Sequence, residues 1–175
     1  MEELWPKSEG LASGSTKRNK LTAVAVRDIG AALTALIADF FALYLKTKNF
    51  HWHVSGSHFR DYHLLLEEHA AQILTAIDLL ATQVRKLGAT TLRSVSHVAR
   101  LQRILDNDAD YVEPREMMAE LREDNLQIAE RLHQARELCK DEGDLASASL
   151  IDKCTDEAGG RAWVLLSVTQ DGNDE

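Results

Sequence analysis

The residues most able to do chemistry in this chain are two histidines and two carboxylates in its first half: His51, His63, Glu67 and Asp78. They lie in and after the stretch KTKNFHWHVSGSHFRDYHLLLEE, which has the pattern of a helix, a turn and a second helix. Neutral imidazole and carboxylate groups bind Fe(II) and other first-row metals, and helical bundles hold such ligands on facing helices. An ordinary hydrogen bond or ion pair better explains any one of them alone. The set of four predicts a metal centre. The other histidines have no comparable partners and are expected on the surface or beside the centre: His53, His58, His69, His97 and His133.

The spacing along the second helix predicts that two subunits share this centre. His63, Glu67, Asp78 and Thr82 fall on one helical face, within an arc of about 100°. Glu67 and Asp78 are nevertheless about 16 Å apart along the axis, so one helix cannot bring both to one metal. An antiparallel second copy, related by a twofold axis, would place His63 and Glu67 opposite Asp78 of the partner subunit. His51, at the end of the first helix, could reach the same place.

Four long helices are predicted to position these residues. Of the 175 residues, 45% are apolar, and only 2 are Pro and 9 are Gly, which favours a single all-α domain. Helical periodicity and end signals predict helices over 21–53, 57–87, 114–140 and 144–168. In the second of these, Leu66, Ile73 and Leu80 belong to an apolar repeat of seven residues.

The long connection between the second and third helices contains SHVARLQRIL, which could form a short extra helix. Four long helices with one long connection predict a ferritin-like four-helix bundle over residues 21–170. Residues 1–20 are rich in Gly, Ser and charge and are predicted to be a flexible tail, and 171–175 a short C-terminal tail.

Charge and hydropathy narrow the classes of function. The formal net charge of −8 argues against nucleic-acid binding through an overall basic surface and suits a protein that attracts cations. No apolar run approaches the roughly 20 residues that span a bilayer, so no membrane association is predicted. The N-terminus has no apolar core of a secretory signal. Cys139 and Cys154 are predicted to be separate thiols of a reduced cytoplasmic protein.

At these residues the chain resembles the Dps family, the small ferritin-like proteins that protect DNA during starvation. The residues that carry the resemblance share the family's spacing: Lys48, His51, Trp52, Gly56, Phe59, His63, Glu67, Asp78, Arg85, Leu87 and Gly88. The resemblance covers roughly residues 20–170, including Trp163 in the last helix.

The resemblance implies a hollow shell of twelve subunits, built from twofold dimers, that oxidises Fe(II), preferably with hydrogen peroxide, and stores the ferric iron. It implies that His51, His63 and Glu67 of one subunit and Asp78 of its partner form the ferroxidase centre. Trp52 would lie beside the centre and intercept radicals, although an aromatic residue packed at the interface would look the same in sequence. Such proteins work in the bacterial cytoplasm or nucleoid.

The resemblance also implies acidic pores on the threefold axes, for which Asp141, Glu142 and Asp144 are the candidates. Three copies of this run would form an anionic funnel for Fe(II). A solvated turn between two helices would account for the same residues.

The departure from the family is at Thr82, where the family normally has a glutamate ligand. Threonine is neutral and a poor iron ligand, so metal binding should be weakened and the second iron position could be lost. One alternative is a structural shell that shields DNA, with a silenced centre, and another is a binder of a different divalent metal. The tail has a net charge of only about +1, so the sequence does not indicate DNA binding, and any binding that occurs would have no sequence preference.

Overall fold

The structure, a computed structural model, describes residues 21–170. They form five α-helices: α1 (Ala23–His53), α2 (Phe59–Lys86), α3 (Val95–Leu101), α4 (Pro114–Asp141) and α5 (Leu145–Gln170). The all-α prediction, the four long helices and the short extra helix are confirmed. The predicted tails, 1–20 and 171–175, lie outside the described residues.

The four long helices form a bundle of two hairpins. α1 packs against α2, α4 packs against α5, and the hairpins meet through α1 with α4 and α2 with α5, while α3 lies on α1. Leu66, Ile73 and Leu80 of the predicted seven-residue repeat are buried in the core, as are Leu33 and Phe40 of α1. The hydrophobic core therefore runs the length of the bundle and fixes how α1 and α2 face each other.

Side-chain caps and glycines set the helix ends. The Thr22 hydroxyl accepts a hydrogen bond from the amide of Ala25 at the start of α1. Pro114 opens α4, and the Glu113 carboxylate accepts from the amide of Arg115. Gly143, between α4 and α5, has a φ of +77°, a backbone angle that residues other than glycine rarely adopt. These local signals explain why the boundaries fall close to the predicted ones.

α1 is also long and apolar enough to cross a membrane, judged by length and composition alone. More than half of its most apolar window is buried inside the bundle, where it contacts α2, α3 and α4. The core helix of a soluble bundle passes the same test, so this is weak evidence for a membrane span.

A buried carboxylate anchors the long connection between α2 and α4 to the bundle. Asp39 of α1 is fully buried and accepts hydrogen bonds from the backbone amide of Arg103 at 2.7 Å and from its Nη2 at 2.6 Å. Arg131 of α4 donates to the same carboxylate at 3.3 Å. Because a buried charge must be paired to be tolerated, this cluster holds the connection, α1 and α4 together.

The connection also approaches α1 closely at Gly30. A Cβ atom added at Gly30 would lie 2.8 Å from the Cβ of Ala89, closer than side chains normally approach. At Gly159, inside α5, an added Cβ would meet nothing within 4 Å. Replacement by alanine is therefore expected to have opposite effects on stability at the two glycines.

Gly30→Ala is expected to destabilise the protein by about 1–3 kcal/mol, because the connection must shift to make room. Gly159→Ala is expected to stabilise it by about 0.5–1 kcal/mol through helix propensity. The midpoints of thermal unfolding, followed by circular dichroism, report both changes. An unchanged or raised midpoint for Gly30→Ala would show that the contact is not tight.

A second polar layer lies between α2, α4 and α5. The Nε of Arg161 donates to Asn125 at 2.8 Å, and Arg161, Asn125 and His69 are all at least 95% buried. The expected surface position of His69 is therefore wrong. Burial, assisted by the charge of Arg161, lowers the pKa of His69 to about 4.

Acid is therefore expected to destabilise the protein through His69. Below about pH 6.5 the unfolded state takes up a proton that folded His69 refuses until about pH 4, so stability falls across this interval. The loss amounts to about 3 kcal/mol at most. His69→Gln cannot titrate, and urea unfolding between pH 7 and pH 4 should show a shallower loss for it. Parallel curves for the two proteins would rule out this contribution.

Candidate metal centre

The last turn of α1 and the first turns of α2 bring three of the predicted ligands together. His51 is 8% exposed, and its ring stacks on that of His63 with centroids 3.8 Å apart. The short loop between the helices allows this approach because Gly56 turns the chain with a φ of +100°. Glu67 lies one turn beyond His63 on α2, with an oxygen 3.3 Å from Nε2 of His51.

Reciprocal hydrogen bonds fix the tautomer of both neutral rings. The Nδ1–H of His51 donates to the carbonyl of His63, and the Nδ1–H of His63 donates to the carbonyl of His51, each at 3.0 Å. A carbonyl oxygen can only accept, so both Nδ1 atoms carry the proton. In the neutral rings each Nε2 then keeps its lone pair, which is the form of histidine that binds metals.

The space between Nε2 of His51 and Glu67 fits a cation. With neutral rings, a nitrogen lone pair and a carboxylate oxygen face each other at 3.3 Å, and both are acceptors. A positive ion bound to both atoms would remove the repulsion between these two acceptors. Imidazole nitrogen with carboxylate oxygen is also a ligand set that suits Fe(II).

The positively charged group that contacts Glu67 within the chain is the ammonium of Lys48. Its Nζ lies 2.5 Å from Oε2 of Glu67, and its side chain is only 15% exposed. This bond lowers the pKa of Glu67, and the charge of Lys48 acts in the same direction against the opposing effect of burial. The pairing of Lys48 with Glu67 depends on how α1 and α2 face each other.

Lys48 also lies over the ring of Trp52, with Nζ 5.8 Å from the ring centroid. Trp52 itself is 60% exposed. It therefore lies beside Lys48 and presents most of its surface to the outside of the subunit; its place beside a metal centre stays a prediction.

Asp78 does not join the other ligands within one subunit. It is exposed on α2, about 16 Å along the axis from Glu67, and Thr82 is exposed one turn further on. Among residues 21–170 of a single chain, no three His, Cys, Asp or Glu side chains are grouped so as to hold a metal ion. The shared centre remains a prediction that needs a second subunit.

The three candidate pore acids have different environments. Asp141 and Glu142 are exposed at the end of α4. Asp144 is fully buried, and its Oδ1 accepts from the amide of Ser147 at 3.1 Å, which caps the start of α5. In this conformation Asp144 is a capping residue and does not face solvent, so the pore prediction depends on Asp141 and Glu142.

Comparisons with known proteins agree with this architecture. The model of the ferritin-like domain family matches residues 30–173. The DNA protection during starvation protein of Halobacterium salinarum is 32% identical over 120 residues, which are 69% of this chain and 66% of that protein. The chain belongs to the Dps family of ferritin-like proteins.

Dps structures match nearly the whole bundle. The archaeal Dps homologue of Halobacterium salinarum superposes with a TM-score of 0.84 at 26% identity, covering 97% of this chain and 96% of that one. Antigen TpF1 of Treponema pallidum superposes with a TM-score of 0.82 at 27% identity, covering 85% and 96%. A low-temperature-induced protein of Nostoc sp. is 32% identical over 132 residues, covering 75% of this chain and 74% of that protein.

Removal of the Lys48 charge is expected to strengthen metal binding at this Dps centre. In Lys48→Met, Glu67 loses its competing cation, and the affinity for Co(II) at pH 7 should rise about three- to tenfold. Lys48→Arg keeps the charge and serves as the matched control, with affinity near that of the wild type. Co(II) titration without oxidant, followed by absorbance, measures both. Equal affinities for wild type and Lys48→Met would show that Lys48 does not compete.

Proposed function

We propose that this Dps protein is a ferroxidase and iron store that oxidises Fe(II), preferably with hydrogen peroxide, and keeps the ferric product inside a dodecameric shell. The observation that carries the proposal is the pair of histidines, whose reciprocal hydrogen bonds leave both Nε2 lone pairs free, with that of His51 3.3 Å from the Glu67 carboxylate. Iron is the substrate and the stored product. The expected place of work is the bacterial cytoplasm or nucleoid.

The exposed surface of α2 supports the twofold pairing that completes the centre. Leu64 and Leu79 are 53% and 36% exposed, on the face that also carries Glu67 and Asp78. The point midway between Leu64 and Leu79 falls between residues 71 and 72. The point midway between the His63–Glu67 pair and Asp78 falls in the same place.

One antiparallel pairing therefore satisfies both sets of residues. It brings Leu64 onto the partner's Leu79 and brings Asp78 of the partner subunit to His63 and Glu67. Burial of the leucines stabilises the pairing by about 25 cal/mol per Å² of apolar surface. The carboxylate of Asp78 is then placed as a ligand by a contact that hydrophobic burial favours.

Different side chains would have different roles in iron oxidation. His51, His63, Glu67 and Asp78 of the partner subunit would bind and orient Fe(II). Each of two Fe(II) ions would give up one electron, and one hydrogen peroxide would take both, so that its O–O bond breaks to give two hydroxide ions and no hydroxyl radical. Trp52, beside the ligands and exposed, would donate an electron to a stray radical. Asp141 and Glu142 would attract Fe(II) to the threefold pores.

Thr82 limits the second iron position. It adds no negative charge where the family has a glutamate, and loss of even an indirect partner of a metal lowers affinity about 10- to 100-fold. The proposed centre therefore holds one iron well and the second weakly. If the loss silences the centre, the protein would act mainly as a structural shell that shields DNA, which is the role named for its Halobacterium relative. A centre that prefers another divalent metal is the remaining alternative.

Thr82→Glu is expected to raise the number of Fe(II) ions bound per subunit and to speed their oxidation, because it adds the missing carboxylate. Thr82→Gln has nearly the same size without the charge and should behave like the wild type. Anaerobic Fe(II) titration and stopped-flow absorbance measure the two effects. Equal stoichiometry and rate in all three proteins would show that position 82 does not limit the centre.

The deciding test of the proposed function is Fe(II) oxidation at low iron loading, with hydrogen peroxide and then with oxygen. Rapid oxidation that depends on the protein supports the ferroxidase, and saturation near two irons per site would mean that the centre works despite Thr82. Removal of both imidazoles, in His51→Ala with His63→Ala, should abolish it. Oxidation no faster than in buffer would reject the ferroxidase and favour the DNA-shielding shell.

A further inference from the structure

Arg161 carries a positive charge that no contacting group in the described part of the subunit neutralises. The residue is 2% exposed, in the polar layer between α2, α4 and α5. Its Nε donates to Oδ1 of Asn125 at 2.8 Å, and its Nη1 reaches Oε1 of Gln72 at 3.5 Å, the outer limit of a hydrogen bond. Both partners are neutral amides. Among residues 21–170, no carboxylate lies within ion-pair distance of this guanidinium.

The third nitrogen of the guanidinium, Nη2, is buried and has no hydrogen-bond partner within the described residues. Buried donors in folded proteins almost always have a partner. Burial lowers the pKa of Arg161 to about 10, so the group is still charged at neutral pH. Because a buried charge must be compensated to be tolerated, the free donor requires a negative group that the chain does not place there.

The other ionisable groups near Arg161 do not fill this role. Glu157, one turn earlier on α5, is paired with Lys153 at 3.7 Å and attracts Arg161 only from beyond ion-pair distance. The remaining neighbours are the imidazole of His69 and the thiol of Cys154, whose pKa burial raises to about 11, so neither is negative at neutral pH. A carboxylate of another subunit cannot reach Nη2, because the atom is enclosed within its own subunit.

One exposed side chain separates the guanidinium from solvent in the groove between α2 and α5. Gln72 is exposed on α2, and the only hydrogen bond of its side chain within residues 21–170 is the 3.5 Å contact with Arg161. Rotation of this side chain would open Nη1 and Nη2 to an ion. Around the axis of α2, Gln72 is about 120° from Asp78 and about 140° from Glu67, on the side that faces α5. The groove is therefore separate from the shared metal centre.

We propose that Arg161 binds a small inorganic monoanion, with chloride as the occupant in the cell, in the groove between α2 and α5. One negative charge offsets one guanidinium, whereas a phosphate dianion would leave excess negative charge in a buried site. A halide only accepts hydrogen bonds, and Nη2 offers only donors. The ion would join α2 to α5, the helix pair with the sparsest packing in the bundle.

The ion can be located directly with bromide, which replaces chloride and is identified by its anomalous scattering. Crystals of the full-length protein soaked in sodium bromide should show an anomalous peak within hydrogen-bond distance of Nη2 of Arg161. Arg161→Gln should lose the peak. Asn125→Asp should lose it too, because it places a carboxylate of nearly the same size against Nε and supplies the missing charge from within the chain. This second variant keeps the guanidinium and its packing.

The same proteins can be compared in solution by thermal unfolding in sodium fluoride, chloride and bromide at constant ionic strength. An ion that binds only the folded state raises the midpoint with its concentration. For wild type the midpoint should rise from fluoride to chloride to bromide, because the most strongly hydrated ion costs most to desolvate. Arg161→Gln and Asn125→Asp should lose this dependence. Arg115→Gln removes the same charge from an exposed position on α4 and should respond as wild type does.

Four results would overturn the proposal. A water molecule at Nη2 in the bromide crystals would show that the donor needs no anion, and bromide found only at exposed lysines and arginines would mean an adventitious ion only. Equal halide dependence in wild type, Arg161→Gln and Asn125→Asp would reduce the effect to general salt action. A response to inorganic phosphate that exceeds the response to bromide and requires Arg161 would assign the site to an oxyanion. Neither experiment contains iron, so an inactive ferroxidase leaves both results unaffected.

Discussion

The reciprocal hydrogen bonds between His51 and His63 are the constraint on which the centre depends. Each ring donates to the backbone of the other helix, so the same two bonds tie α1 to α2 and select the tautomer of both rings. The geometry of the hairpin and the basicity of the ligands therefore cannot be changed independently. Together with the hydrophobic core, this junction sets where Glu67 lies relative to His51.

Much of the fold and part of the centre could be predicted from the sequence, for identifiable reasons. The helices follow from apolar periodicity, and His51, His63 and Glu67 lie next to a short turn that forces α1 and α2 together. The pairing of Lys48 with Glu67 could not be predicted, because it depends on the rotation of one helix against the other. Whether Asp78 joins the centre depends on a second subunit and stays a prediction.

Two departures from prediction had signals that were available in the sequence. His69 lies three residues after Leu66 and four before Ile73, on the buried side of α2, so its helical position indicates burial. Asp144 directly follows Gly143 and precedes an apolar helix, which is the position of a helix cap as much as that of a pore acid. In both cases position within the helix was more informative than the chemistry of the side chain.

The two cysteines bear on how the protein would resist oxidation by peroxide, its proposed oxidant. Both are free, as predicted, and both are buried in the bundle. Burial, with a contribution from nearby Asp144, raises the pKa of Cys139 to about 12, and burial raises that of Cys154 to about 11. Peroxide attacks the thiolate form, of which almost none exists at neutral pH. In the proposed ferroxidase shell, peroxide would therefore leave both thiols unoxidised through repeated turnover.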